Sequence, residues 1–397
     1  MYNQLVLLLA SCFTLEAAAV DSSSPGAEFS DIGVPESSYT IIHEEPVPSL
    51  LERVFHRSIY TASPSIIVCE DGSYLLTCNI FGSGSGADKS GTTFVYRSRD
   101  RGQTWQRENI LSDMKRGSLF RLGGTLYLWG FSAAPGDIVI RSSLNHGRTW
   151  SEARDETSGL LRKGTFGGTP CNPAVFEGRI WIPLGKRVMS AAVDSDLMRA
   201  DSWTLGQPAD TRIGPLGEGI LITEAQVVAA PHTGVVLLPK VQHEDPHTVH
   251  LRPRPDDPAL MYPVLESDWI PFPGGEKKFA AAYDERSGRF YALSNPIFPP
   301  YQNSGVPYQL IRNVGALMVS EDLREWTITR IFLHSPNVTY EAFQYFNFDF
   351  DGNDLIVASR TAIQLGARKP PRGHDSNLIT FHRIPDFRSI PAAPLKP

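Results

Sequence analysis

The stretch Ser98-Arg99-Asp100-Arg101-Gly102-Gln103-Thr104-Trp105, directly after the apolar run Phe94-Val95-Tyr96, decides how the chain folds. It recurs as Ser143-Leu144-Asn145-His146-Gly147-Arg148-Thr149-Trp150 behind Ile138-Val139-Ile140, and in worn form as Ser320-Glu321-Asp322-Leu323-Arg324-Glu325-Trp326. Each copy reads as a strand, a tight turn, and a tryptophan able to wedge into the neighbouring sheet. Asp or Asn caps such a turn through its own backbone, and Gly accepts the positive φ that other residues resist.

Working outward from these turns, a longer repeat emerges. Apolar strand pairs fold over Gly72, Gly124, Gly178, Gly234, Gly288 and Gly352, at intervals of 52 to 64 residues. A second pair of strands follows each hairpin. Six units of four strands predict an all-β protein, a six-bladed β-propeller of four-stranded antiparallel blades. We place the propeller at residues 47–393 and a flexible Ser-, Gly- and Pro-rich segment at 21–46. Residues 1–20 carry an apolar core, Leu5 to Phe13, and end on Ala17-Ala18-Ala19, which predicts a signal peptide and a secreted protein.

Composition agrees with this class. The 397 residues include 33 Gly and 31 Pro, as a turn-rich β protein requires. A net charge of −6 gives no case for nucleic acid or an anionic membrane, and no mature segment is long enough to span a bilayer. Without Cys12 of the leader, Cys69, Cys78 and Cys171 remain, an odd number that makes no disulfide framework. Asn337-Val338-Thr339 is a glycosylation sequon.

Blade geometry then sorts the polar residues. With strands A to D running from the axis outward, the Gly turns and the Trp-bearing turns share one face. A-strand starts and B–C loops surround the mouth at the other. A-strand starts supply Ser63, Ser118, Asn172, Glu224, Lys277, Lys278 and Tyr345; B-strand ends and B–C loops supply Asp88, Lys186, Arg187, Lys240, His243, Arg312 and Arg360. Seven of these fourteen are Lys or Arg in a protein of negative net charge, which points to a small acidic ligand.

Over residues 55 to 390 the chain resembles the sialidase superfamily, whose Asp box the opening stretch matches. The resemblance implies a catalytic aspartate in the loop Gly82-Ser83-Gly84-Ser85-Gly86-Ala87-Asp88-Lys89, at Asp88. It implies a catalytic glutamate in Thr223-Glu224-Ala225-Gln226-Val227-Val228, at Glu224. Ser294-Asn295-Pro296 followed by Arg312-Asn313 resembles the element bearing a substrate-binding arginine. Phe343-Gln344-Tyr345 offers Tyr345 as the nucleophile, with Tyr340 as a rival. The chain departs from the family where a first arginine is expected, since Ala62-Ser63-Pro64 stands there with Arg57 nearby. A second arginine becomes Lys240, and a family glutamate becomes Arg360.

By that resemblance the protein is a retaining exo-glycosidase that removes a terminal acidic sugar from an oligosaccharide or polysaccharide and acts as a monomer. Asp88 is the acid/base, Tyr345 the nucleophile and Glu224 its base. Lys240, Arg312, Arg360, His243, Asn172 and Lys278 bind substrate, and no cofactor is implied. His243-Glu244-Asp245-Pro246-His247 with His250 is rich in ligand-type side chains, but its spacing fits no zinc pattern, so no metal is assigned. Two other classes remain open: a lyase acting on a uronic acid glycan, and a carbohydrate-binding propeller without chemistry.

Overall fold

The computed structural model describes residues 39–55, 57–83, 91–212, 214–217, 219–367 and 369–391. Strand β1 (Thr40–Glu44) comes first. The first blade is β2 (Tyr60–Val68), β3 (Tyr74–Phe81), β4 (Thr93–Ser98) and β5 (Gln106–Leu111). The second is β6 (Lys115–Leu122), β7 (Thr125–Phe131), β8 (Gly136–Ser143) and β9 (Leu160–Phe166). The third is β10 (Ala174–Phe176), β11 (Arg179–Leu184), β12 (Arg187–Ala192) and β13 (Trp203–Leu205). A fourth unit holds β14 (Leu221–Ala230), β15 (Gly234–Gln242), β16 (His247–Val249) and β17 (Trp269–Pro271). The fifth is β18 (Ala280–Asp284), β19 (Arg289–Ser294), β20 (Val314–Ser320) and β21 (Thr327–His334). The last holds β22 (Ala342–Asp351), β23 (Asp354–Ala362) and β24 (Leu378–Ile384).

Five antiparallel four-stranded sheets result, and the expected count of six is corrected in the fourth unit. There β14–β15 and β16–β17 are separate two-stranded ladders, joined by the single bridge Leu237↔Leu251. The cause is local. Pro239 in β15 has no N–H to offer a ladder, and its carbonyl instead accepts the Thr248 hydroxyl at 2.8 Å. A second correction concerns the N-terminal segment. Thr40–Glu44, expected within the flexible lead-in, pairs with β24 and completes the last blade from outside. The last blade thereby takes strands from both ends of the described chain, and β1 covers the edge that β24 would otherwise present.

The cores lie between blades, because each sheet is apolar on both faces. Ile66 and Leu76 of the first blade pack with Ile356 and Ala358 of the last. Trp129 and Phe131 of the second pack with Ile180 and Ile182 of the third. The repeated turns lock this arrangement. Ser98 Oγ accepts from Gly102 N at 2.8 Å, and Asp100 Oδ1 accepts from Thr104 N at 2.9 Å. Gly102 sits at φ +93° with the Phe381 ring so near that a Cβ would come within 2.2 Å of it. Trp105 packs on that same ring at 5.6 Å. Gly147 N donates to Ser143 Oγ at 2.8 Å in the second copy; in the third, Leu323 takes the positive φ (+64°).

The cysteines Cys69, Cys78 and Cys171 are buried and free. Among the described residues no helix is long and apolar enough to cross a membrane.

Candidate functional site

Four innermost strands break their ladders at the same register. The shifts fall between Ala62 and Ser65 in β2, Lys115 and Ser118 in β6, Thr223 and Gln226 in β14, and Gln344 and Asn347 in β22. Each bulge re-aims one side chain out of the sheet at the mouth. The residues so presented are Ser63, Arg116, Glu224 and Tyr345. Three of them adopt left-handed backbone, with φ +54°, +50° and +54° for Arg116, Glu224 and Tyr345. Glycine would be cheaper at such a φ by on the order of 1–2 kcal/mol, so strain is held here in favour of particular side chains.

Just below the bulges, side chains stitch blade to blade. Ser65 Oγ accepts from Leu119 N at 3.0 Å, Ser118 Oγ from Cys171 N at 3.1 Å, and Asn347 Oδ1 from Ile66 N at 2.8 Å. These ties fix how far apart the bulges stand.

Above them lies a cavity of about 390 Å³ whose lining includes Ser63, Phe81, Lys115, Arg116, Glu224, Tyr345, Arg360 and His374. Glu224 Oε2 accepts from Lys240 Nζ at 3.1 Å. Burial works to raise the Glu224 carboxyl, but Lys240, Arg312 and Arg116 outweigh it and hold the group below the usual carboxylate range. It is therefore ionised at neutral pH. The Arg360 guanidinium lies 4.6 Å from the centre of the Tyr345 ring, and that of Arg312 lies 5.6 Å away.

Both arginines are 4% exposed, yet among the described residues neither meets a carboxylate. Arg360 donates to His374 O and, at 3.4 Å, to Ser376 Oγ. Arg312 donates to Gln344 Oε1 and, at 3.0 Å, to Gln309 O. Burial pushes Arg360 down to about 10, with Tyr345 opposing and Arg312 adding to the fall. A cluster of buried cations facing one ionised carboxylate favours an anionic guest.

Other expected site residues have different duties. Asn172 is tied beneath the mouth, its Nδ2 donating to Phe348 O at 2.9 Å and its Oδ1 accepting from Asn347 Nδ2 at 3.0 Å. Lys278 is 2% exposed and donates to Phe346 O; burial pushes its amine down to about 8. Neither residue, both expected to bind substrate, lines this cavity, since an A-strand start can equally point down the axis into the ties. His243 is also outside the cavity lining: its Nδ1 accepts from Asp245 N at 3.0 Å within its own loop. Tyr340 lies under Lys369 Nζ, 3.8 Å from its ring centre, and does not line the cavity. Asp88 falls outside the described residues.

Arg116, Lys115 and His374 are the additions. Arg116 was legible in the spacing: it precedes Ser118 by two, as Glu224 precedes Gln226 and Tyr345 precedes Asn347. It stands one blade away from Ala62-Ser63-Pro64, where an arginine was missed. His374 comes from the long β23–β24 connection and carried no sequence signal. Its Nδ1 is 2.8 Å from Asp375 Oδ1, and its ring meets Phe81 edge-on at 5.5 Å. Burial, then Arg360, lower its pKa to about 4, so the imidazole is neutral at neutral pH.

No family model matches the chain, and no curated protein matches it by sequence. Solved structures do match. An α-L-arabinofuranosidase of Fusarium graminearum superposes with a TM-score of 0.55 at 12% identity, over 89% of this chain and 98% of the other. An α-L-arabinanase of Penicillium chrysogenum, complexed with arabinobiose, gives 0.52 at 15% identity over 89% and 99%. The intramolecular trans-sialidase of Ruminococcus gnavus gives 0.52 at 11% identity over 85% and 96%. At such identities the likeness is one of fold. The chain has the sialidase-like propeller fold, which these glycosidases share.

Proposed function

We propose that the protein is a secreted glycoside hydrolase that releases a terminal acidic sugar with retention. One observation carries the reading: Glu224 and Tyr345, each held at positive φ by an equivalent bulge, line one cavity with the buried, carboxylate-free Arg312 and Arg360 around them. Arg116, Lys240, Arg312 and Arg360 hold the substrate's carboxylate. Ionised Glu224 takes the phenol proton of Tyr345 as the phenolic oxygen attacks the anomeric carbon. A neutral phenol approaches a carboxylate-bearing centre without charge repulsion. Asp88 protonates the leaving oxygen and then deprotonates the water that frees the sugar from Tyr345.

Chromogenic aryl glycosides of acidic sugars test this. Release of the aryl group by the native chain, lost by a factor of about 10²–10⁴ in Glu224→Gln and Tyr345→Phe, is the expected outcome. An inactive native chain across uronic and nonulosonic aryl glycosides, or a fully active Tyr345→Phe, sinks the proposal.

A uronate lyase is the second reading, favoured by His374: a neutral imidazole beside Arg360 in the same cavity suits abstraction of the proton next to a carboxylate. An unsaturated product absorbing in the ultraviolet would decide for it.

A further inference from the structure

The β23–β24 connection carries an imidazole into the mouth with its two nitrogens in different hands. His374 Nδ1 lies 2.8 Å from Asp375 Oδ1, and Asp375 Oδ2 accepts from Arg372 Nε at 2.9 Å. Burial works to raise the Asp375 carboxyl, but its hydrogen bonds with His374 and Arg372 hold it below the usual carboxylate range. An ionised carboxylate only accepts, so Nδ1 bears the ring proton. The imidazole is neutral at neutral pH, which leaves Nε2 as an acceptor alone. Nε2 has no hydrogen-bond partner among the described residues, and it is not sealed: the side chain is 25% exposed and lines the cavity.

The segment that carries this ring is firmly held. Gln344, next to Tyr345, donates from Nε2 to Gly373 O and to Ser376 Oγ, both at 2.8 Å, and Gly373 N donates to Thr339 O at 2.8 Å. Arg360 stands alongside. Its guanidinium donates to the carbonyl of His374 itself and lies 4.5 Å from the centre of the Phe81 ring, against which the imidazole also packs. With Nη2 on that carbonyl and Nε on Ser376, Nη1 of Arg360 has no partner among the described residues.

The cavity thus sets a charged donor beside a neutral acceptor. Their complement is a carboxylate with a hydroxyl on the carbon next to the one that bears it: the carboxylate takes the Nη1 hydrogen, and the hydroxyl donates to Nε2. A hexuronic acid presents this pair at C5 and C4, whereas a 3-deoxy-nonulosonic acid has a methylene in place of the hydroxylated carbon. We propose that His374, oriented by Asp375, is a specificity-determining residue that accepts this hydroxyl, so that the terminal acidic sugar is a uronic acid with a free 4-hydroxyl. The inference rests on the glycan-cleaving reading and names its substrate class. The neutral phenol of Tyr345 suits this sugar too, since its carboxylate belongs to the ring under attack.

An aryl uronide, its 4-deoxy analogue and an aryl 3-deoxy-nonulosonide, each offered to the full chain, test the assignment. A site built to hold a substrate hydroxyl rejects the analogue lacking it by about 10⁴–10⁵, and the part-exposed imidazole reduces the expected preference for the uronide to about 10² in kcat/KM. His374→Phe, which keeps a ring without the nitrogen, brings the ratio between uronide and 4-deoxy analogue to within about threefold. Asp375→Asn does the same by a different route. Its amide oxygen stays with Arg372, its NH₂ faces Nδ1, and the ring proton moves to Nε2, which turns from acceptor to donor. A native ratio near one, faster cleavage of the nonulosonide, or a His374→Phe that slows both sugars alike and keeps the ratio overturns the proposal. Calorimetric titration of Tyr345→Phe with the methyl uronide and its 4-deoxy analogue reads the same preference without turnover. Preferential binding with no aryl hydrolysis by the native chain breaks the catalytic reading alone. Hydrolysis without the preference breaks the assignment of His374 alone, and the absence of both breaks the two together.

Discussion

The two ends of the propeller handle positive charge in opposite ways. At the turn end, Arg383 donates to Asp351 at 2.9 Å and to Asp354 at 2.8 Å, and Arg101 reaches the same Asp351 at 2.8 Å. Tyr74 joins this network through Asp351 and Arg383, both at 2.5 Å. Arg388 grips Asp284 at 2.6 Å. At the mouth, Arg312 and Arg360 hold only neutral oxygens among the described residues. Strand β22 links the ends: Tyr345 stands near its start and Asp351 at its finish, on the order of 20 Å away at ~3.3 Å per residue. The acid–base shifts follow the same divide. Hydrogen bonds from Asp351, Tyr74 and Asp354 outweigh burial and raise the Arg383 pKa, whereas burial lowers that of Arg360. One end has its counter-ions built in; at the other, Lys240 has Glu224, but Arg312 and Arg360 meet no carboxylate among the described residues.

That contrast can be broken by exchanging the readouts. The largest effect belongs to the mouth, where Tyr345→Phe and Glu224→Gln are expected to cost about 10²–10⁴ in turnover, with the urea midpoint of Tyr345→Phe close to native. A collapse in midpoint equal to that of a turn-end variant would erase the distinction. Next comes the turn end. Arg383→Ala takes from Asp354 its one cation among the described residues and leaves Asp351 to Arg101 and Tyr74, and the ~3–5 kcal/mol for breaking a buried pair is discounted to about 1–3 kcal/mol because the side chain is 23% exposed. Activity per folded molecule should not move.

A third test uses Lys278, beneath the mouth. Its folded pKa of about 8 lies below that of an unfolded lysine, about 10.4, so the unfolded state binds more protons between these values. Stability should therefore gain with rising pH across that window, by at most ~1.4 kcal/mol per pH unit from this one group. Lys278→Met should remove the gain, as denaturant melts at successive pH values would show. Glu224 acts in the opposite corner: its depressed pKa contributes stability above the usual carboxylate range, lost as pH falls through the folded value. The smallest effect is expected from Arg116→Gly. Relief of positive φ offsets the lost bond to Gly168 O at 2.9 Å, leaving stability within about 1 kcal/mol of native. Binding of an acidic sugar should still weaken, which calorimetric titration would register.

Sequence reading reached the blades because turn chemistry is local. The Ser98–Trp105 pattern specifies its own hydrogen bonds, from Ser98 to Gly102 and from Asp100 to Thr104, with no help from distant residues. Strand alternation and glycine spacing are local too, so the repeat was legible over most of its length. The fourth unit was misjudged because Pro239 breaks a ladder between strands, a fault invisible in the hydrophobic pattern of either.

Sequence by itself therefore determined a β-propeller of repeated hairpins and placed Glu224 and Tyr345 at the starts of innermost strands. Only the tertiary structure decided which neighbouring side chains turn up into the mouth and which turn down into the ties. Asn172 and Lys278 went down; Arg116 went up. The reason is the bulge: one inserted residue at left-handed φ reverses the direction of a side chain, and its position depends on how the adjoining strand pairs, which a single strand's sequence does not encode.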